Sequence, residues 1–377
     1  MGSDQADDRT LQDSDDEPAH DEQILDVTEV ADITDTTMLD SLDMFGATRG
    51  LADQVARAAE DARQVDGLPD VGGVTHVVVM GMGGSGIGGD VAAAISAASG
   101  AVPIIVTKDY SCPAYVGRDS LVIASSFSGN TEETIEAASI AATRGARMVI
   151  LASGGRLADL AGRFGAPLLP IAPGIPMPRA GIGAVSIPLL VTLDRLGLIE
   201  EMDDQIAATI AQLRRRIAEL DQPGSAAAEL ARKIGRTMPV IYGSAGIGEV
   251  AANRWKGQFN ENPKVPAFSN RIPELTHNEI AGWGQHGDVT RQVFSLVQLR
   301  HDAEHSQVSR RFELTAEICD EIVADVFRVD AQGEGPLAQL FDLIVYGDFV
   351  SLEAAAQAGV DPGPIPVLDQ IKATLAR

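Results

Sequence analysis

Two stretches of this chain set glycines beside hydroxyls in a spacing suited to holding an anion. Residues 81–90 read Gly-Met-Gly-Gly-Ser-Gly-Ile-Gly-Gly-Asp after an apolar run, and residues 125–134 read Ser-Ser-Phe-Ser-Gly-Asn-Thr-Glu-Glu-Thr after another. In a strand-to-helix turn, glycines let backbone N–H groups crowd toward a ligand, and the helix N-terminus adds a positive dipole end. Ser85 from the first turn, with Ser126, Ser128 and Thr131 from the second, would bring hydroxyls to one phosphate. The competing reading is local: Ser128, Asn130 or Thr131 caps the next helix, with Glu132 or Glu133 completing a capping box.

Nucleotide readings fit these turns less well. Gly81–Gly86 matches G-x-G-x-x-G, but ribose recognition asks for an acid about 20 residues on. Here the next strand ends Lys108-Asp109, later than that and with a base before the acid. A nucleotide P-loop closes on Lys followed by Ser or Thr, and Gly88-Gly89-Asp90 offers neither. No cofactor is expected.

The elements that must position these turns alternate in type. THVVVMG, VPIIVTK, SLVIASSFSG and RMVILAS read as strands, and GDVAAAISAAS and TEETIEAASIAATRG as helices. That order predicts βαβ units and a parallel sheet. Further on, PVIYGSAGIGEVAAN repeats the strand, Gly-rich turn and Ala-rich helix of VVVMGMGGSGIGGDVAA, a weak internal repeat. VFSLVQLR and FRVDAQG read as later strands of the second unit. The expected fold is two doubly wound α/β domains with parallel sheets. Residues 43–200 form the first, 201–235 a helical linker, and 236–377 the second with C-terminal helices.

Residues 1–42 read differently. They carry scattered carboxylates and no sustained apolar period, so they cannot bury enough surface to offset their ordering entropy, and a disordered acidic tail is expected. The formal net charge of −25 over 377 residues argues against nucleic-acid binding, which rests on clustered Lys and Arg. No run approaches the roughly 18 apolar residues of a membrane span. The two cysteines, Cys112 and Cys319, lie far apart without metal-ligand spacing, which fits a cytoplasmic protein. His301 and His305 are four apart but have no third ligand nearby, so no metal site is expected.

The two hydroxyl turns together resemble the sugar isomerase (SIS) domain family, whose members bind phosphosugars. MPRAGIG, NENPKVPAFSNRIPELTHNEIAGW and a lysine near the C-terminus narrow the resemblance to the bifunctional phosphoglucose/phosphomannose isomerase branch, from about residue 45 to the end. That resemblance implies an aldose–ketose isomerase acting on glucose 6-phosphate and fructose 6-phosphate, and extending to mannose 6-phosphate, through a cis-enediol. It implies that Gly84, Ser85, Ser126, Ser128 and Thr131 bind the phosphate. Arg179 would steady the enediolate, Glu261 would move the proton between C2 and C1, and His277 and Lys372 would open the sugar ring. In the family the histidine comes from the neighbouring subunit, which implies a homodimer.

Each of these residues also has a plainer reading. Glu261 ends the helical run EVAANRWKGQFNE because Pro263 disfavours helix at Asn262, and the dipole there opposes an anion; it could be a solvated helix-end carboxylate. His277 could cap a helix or sit satisfied in the core. Arg179 lies in a Pro- and Gly-rich loop, where an anion-facing role suits it better than a helical ion pair. Lys372 sits in an amphipathic C-terminal helix, the usual place for a solvated lysine. One position departs from the family: Ile365-Pro366 stands where Thr-Pro is often found. An isoleucine holds neither water nor hydroxyl, which favours the glucose epimer. The second domain has no copy of the serine-rich turn, so one phosphate site per chain is expected. The alternative function is a phosphosugar-binding sensor that has lost the chemistry.

Overall fold

In a computed structural model, which describes residues 39–375, the run before the first glycine turn becomes β1 (His76–Met80), an interior strand of a five-stranded sheet. Its neighbours are β2 (Ile104–Thr107) and β3 (Ser120–Ser126), and β4 (Arg147–Ala152) and β5 (Leu168–Pro170) follow in the order β2-β1-β3-β4-β5. All pairings are parallel, with Val77 between Ile104 and Leu121. The expected acidic tail lies almost wholly outside the described residues. Just before residue 43, Asp40 already has a structural task, its carboxylate accepting from the Met44 and Phe45 amides at 2.7 and 2.9 Å.

Period-two alternation sends this sheet's side chains to two cores. Val77, Val79, Leu121, Ile123, Val149 and Leu151 face one side, against α2 (Leu51–Arg63), α3 (Gly83–Ser96) and α6 (Ile182–Arg195); the short α1 (Met44–Arg49) precedes α2. Val78, Met80, Val122, Ala124, Met148 and Ile150 face the other, against α4 (Glu132–Thr143) and α5 (Gly155–Phe164). A sheet covered on both faces is the doubly wound arrangement, and its ligand crevice lies where the strand order reverses, at the carboxyl ends of β1 and β3. The two hydroxyl turns leave the sheet there.

Residues 201–235 do more than link. They form α7 (Met202–Leu220) and α8 (Ala226–Ile234), which bury Ile206, Leu213, Leu220, Leu230 and Ile234. Beyond them, β6 (Met238–Ser244), α9 (Ile247–Glu261), β7 (Phe268–Ile272), α10 (Gly287–Val293), β8 (Phe294–Arg300), α11 (Ser306–Cys319) and β9 (Val326–Asp330) build a second parallel sheet, ordered β7-β6-β8-β9. The repeat read in the sequence corresponds to β1–α3 and β6–α9. The buried helix α12 (Pro336–Ala358) packs on α7, α8 and α9, and α9 packs on α3, so one core runs between the two sheets. Last comes α13 (Pro366–Leu375), all of it exposed. No described helix is long and apolar enough to cross a membrane.

Candidate active site

Ser85 lies in the first turn of α3, buried, and its Oγ accepts the Phe127 N–H at 2.8 Å. The hydroxyl of one turn therefore fixes the backbone of the other. Ser126, at the end of β3, is fully buried and shares a 2.8 Å hydrogen bond with Thr131 Oγ1. Thr131 occupies the N-cap of α4, yet its side chain caps nothing, so the capping alternative does not describe it. Ser128 is exposed and accepts only the Asn130 N–H at 3.2 Å. Asn130 in turn accepts the Arg156 N–H at 3.1 Å, which braces the turn on α5. The four hydroxyls thus divide: Ser85 and Ser126 hold the turns together, and Ser128 and Thr131 stand outward of them.

Gly84 makes the next connection. A Cβ there would lie 3.0 Å from the Pro178 carbonyl carbon and oxygen, so the first glycine turn lets the 3-10 turn Pro178–Gly181 rest directly on it. That turn carries Arg179, which is 3% exposed. Its Nε donates to Asn262 Oδ1 at 2.9 Å, and its Nη2 to the Gly363 carbonyl at 2.8 Å and to the Pro362 carbonyl. Among the described residues Nη1 has no hydrogen-bond partner, and it lies 3.5 Å from Glu261 Oε2. Burial pulls the guanidinium below its usual range and the Glu261 carboxylate raises it again.

Glu261 is the last residue of α9, with its side chain about a third exposed. Behind it, Arg254 makes a buried fork on Asp348, with contacts of 3.0 and 2.8 Å, and donates to the Arg179 carbonyl at 2.5 Å. Gln258 reaches the same carboxylate at 2.9 Å, and Asn262 Nδ2 reaches Ser351 Oγ at 2.9 Å. The helix bearing Glu261 and the turn bearing Arg179 are both fixed to α12 through this layer.

Lys264 was not singled out in the sequence. It follows Pro263 with φ at +59°, and its Nζ donates to the carbonyls of Glu261 at 2.8 Å and Asp361 at 2.9 Å. Partial burial and the neighbouring Arg179 cation lower its pKa to about 8. The available signal was a lysine three residues beyond the candidate base, just past a helix-ending proline.

His277 and Lys372 are not brought to this cluster within one chain. His277 lies exposed on the 3-10 turn Glu274–His277, and among the described residues no hydrogen bond or ion pair joins it to Arg179 or Glu261. Its segment is anchored by Glu279, which accepts from the Tyr242 hydroxyl and from Asn270 Nδ2 at 2.5 Å, while Trp283 Nε1 donates to Tyr242 at 3.0 Å. Lys372 is on exposed α13, beside exposed Val367, Leu368, Ile371 and Leu375. His301 and His305 go separate ways: His301 Nε2 meets Ser244 Oγ at 2.5 Å, and His305 Nδ1 caps α11 through the Gln307 N–H at 3.1 Å. Among the described residues no three His, Cys, Asp or Glu side chains group as metal ligands.

The geometry is that of two hydroxyl-lined glycine turns beside a buried cation that faces a carboxylate. Comparison with known proteins agrees in outline. Residues 74–161 match the SIS domain family, and residues 224–375 match the bacterial phospho-glucose isomerase C-terminal SIS domain. The chain is 37% identical over 337 residues to the bifunctional phosphoglucose/phosphomannose isomerase of Caldicellulosiruptor bescii, covering 88% of this chain and 99% of that one. It is 33% identical to the protein so named from Thermoplasma acidophilum, over 84% and 94% of the two chains. Among solved structures, the C-terminal domain of glucosamine-fructose-6-phosphate aminotransferase from Francisella tularensis has the same fold, with a TM-score of 0.65 at 14% identity over 85% of this chain and 98% of that one.

Proposed function

This chain belongs to the bifunctional phosphoglucose/phosphomannose isomerase family, and from that premise we propose that it interconverts glucose 6-phosphate and fructose 6-phosphate, with mannose 6-phosphate as a further substrate. The observation that carries the chemistry is Arg179 Nη1, without a hydrogen-bond partner among the described residues, facing Glu261 Oε2 at 3.5 Å. A carboxylate beside a preorganised cation suits a reaction in which a carbon acid loses its proton while charge gathers on neighbouring oxygens.

In this reading the Gly84–Ser85 and Ser126–Thr131 turns take the phosphate, with Ser128 and Thr131 as the outward donors. His277 and Lys372 open the ring. Glu261 removes the C2 proton of the open aldose, the C–H electron pair becomes the C1=C2 double bond, and O1 takes the charge. Arg179 Nη1 meets that enediolate. Glu261 then returns its proton to C1, O1 is protonated to a hydroxyl, and O2 gives up its proton to become the ketone. A sensor would need only the hydroxyl turns, and the paired Arg179 and Glu261 favour the catalyst.

Exposed His277 and the unpartnered apolar stripe of α13 support a homodimer in which His277 serves the neighbouring site. The two cysteines, free and buried, suit the cytoplasm. The test follows solvent deuterium into C2 of each hexose phosphate. Wild type should exchange and interconvert the sugars, and Glu261→Gln should do neither. Wild-type protein that turns over no hexose phosphate overturns the reading.

A further inference from the structure

Helix α9 ends at Glu261, and the last carbonyls of any helix lack partners within it. Here the Asn262 and Val265 amides meet the carbonyls of Gln258 and Phe259, and one side chain meets those of Glu261 and Asn262. Pro263 stops the helix and Lys264 takes the left-handed backbone region, which non-glycine residues hold only when their surroundings demand it. The reversal swings the lysine back over the helix end. Although the residue as a whole is exposed at the rim, its Nζ donates to the carbonyls of Glu261 at 2.8 Å and Asn262 at 3.2 Å, and to those of Asp361 at 2.9 Å and Pro362 at 3.4 Å. The Pro362 carbonyl, with that of Gly363, also receives Arg179 Nη2. A closed loop results: Glu261 backbone, Lys264, the 361–363 turn, Arg179, and across 3.5 Å the Glu261 carboxylate.

We infer that Lys264 is a positioning residue for the proton transfer, fixing the end of the helix that carries Glu261 against the turn that cradles Arg179. Nothing places its amine on the reacting carbons. It sets the spacing between base and cation, a quantity to which catalysis is steeply sensitive, since a misplacement of about 1 Å can lower a rate on the order of a hundredfold. The protonated amine has three donors for these carbonyls; the neutral amine has two, and its lone pair would face a carbonyl oxygen. The charged groups around it are Arg179, which with partial burial lowers its pKa to about 8, and Asp361 and Glu261, which oppose that. The clamp therefore loosens as pH rises through about 8.

The inference rests on the isomerase reading, so its test has one arm that needs no turnover. In Lys264→Met, kcat should fall about tenfold to a hundredfold, while KM and the affinity for a hexose phosphate change less than about threefold, because the phosphate turns are untouched. The wild-type decline of kcat above pH 8 should vanish in this variant and move beyond pH 10 in Lys264→Arg, whose guanidinium stays charged. Independently, the amides of Asn262 and Val265, which donate to Gln258 and Phe259 at 2.8 and 3.1 Å, should exchange faster in free Lys264→Met. Faster exchange in a protein without isomerase activity defeats the isomerase reading and leaves the clamp standing. Wild-type kcat in Lys264→Met, unchanged amide exchange, or an alkaline decline common to all three proteins overturns the positioning role.

Discussion

Arg179 Nη1 stands 3.5 Å from Glu261 Oε2 and is the one nitrogen of that guanidinium without a hydrogen-bond partner among the described residues. The others are held by Asn262, Pro362 and Gly363, so the side chain has no freedom to turn the free nitrogen elsewhere. Preorganisation of this kind matters because the enzyme need not reorganise its dipoles when charge develops on the substrate. Glu261 is fixed through its backbone, at a helix end whose negative dipole the Arg179 cation complements, and its carboxylate meets Arg179 at 3.5 Å without a hydrogen bond. The arginine is rigid, and the carboxylate keeps the rotational freedom needed to serve two adjacent carbons.

Separating the two roles takes two substitutions. Glu261→Gln removes the proposed base and should lower kcat by about 10² to 10⁴ with KM nearly unchanged. Arg179→Lys keeps a positive charge but cannot hold three carbonyl and amide acceptors in a fork; its loss should be about 10² to 10³ in kcat. Steady-state kinetics with glucose 6-phosphate, alongside solvent-proton exchange at C2, measures both. An Arg179→Lys variant of wild-type rate would mean that the guanidinium serves structure alone.

The layer behind the site predicts a split between stability and rate. Arg254 and Asp348 are 4% and 5% exposed in their side chains, so Asp348→Leu alone strands a buried guanidinium and should cost about 3–5 kcal/mol. Pairing it with Arg254→Met removes both charges, and such replacements of buried ion pairs are often neutral for stability. The double variant should recover part of that loss, remaining about 1–3 kcal/mol short of wild type because the buried Gln258 amide loses its acceptor. Its kcat should stay depressed, since methionine cannot donate to the Arg179 carbonyl as Arg254 does at 2.5 Å. Thermal unfolding and kcat measured on the same preparations check this.

The two hydroxyl-bearing glycine turns were legible as strand-to-helix turns because their signal is local, carried by glycine and hydroxyl spacing after an apolar run. Gly84 could be singled out as a glycine, but its contact with Pro178 joins segments nearly a hundred residues apart. Lys264 was illegible for the same reason, as its partners Asp361 and Pro362 are 97 and 98 residues away. Helices α7 and α8 looked like a linker because their exposed faces are densely charged, while the narrow stripe from Ile206 to Ile234 is buried against α12. Strand β5 is three residues long, and β7, Phe-Ser-Asn-Arg-Ile, is mostly polar and buries only its last residue, so neither carries an apolar run to read.

Ile365 offers a test of epimer preference. It is 9% exposed, stands two residues beyond Gly363, whose carbonyl holds Arg179, and has no polar side-chain atom. Ile365→Thr supplies a hydroxyl that can hold a water or a sugar hydroxyl. The ratio of kcat/KM for mannose 6-phosphate to that for glucose 6-phosphate should rise about tenfold, equivalent to 1.4 kcal/mol of differential transition-state binding. A ratio unmoved in the variant would place the epimer selection elsewhere.

His277 decides whether the site is built by one chain or two. Its 3-10 turn is exposed yet firmly anchored through Glu279, Tyr242 and Asn270, an arrangement that presents the imidazole outward. In a two-fold dimer each site would take Glu261 from one chain and His277 from the other. Glu261→Gln and His277→Gln proteins should each be nearly inactive alone. In a mixed dimer one site inherits both substitutions and the other inherits neither. Denatured together and refolded in equal amounts, they should regain roughly a quarter of wild-type activity, since random pairing makes about half the dimers mixed and each mixed dimer has one intact site. If His277 instead acted within its own chain, every site in the mixture would carry one substitution and no activity would return.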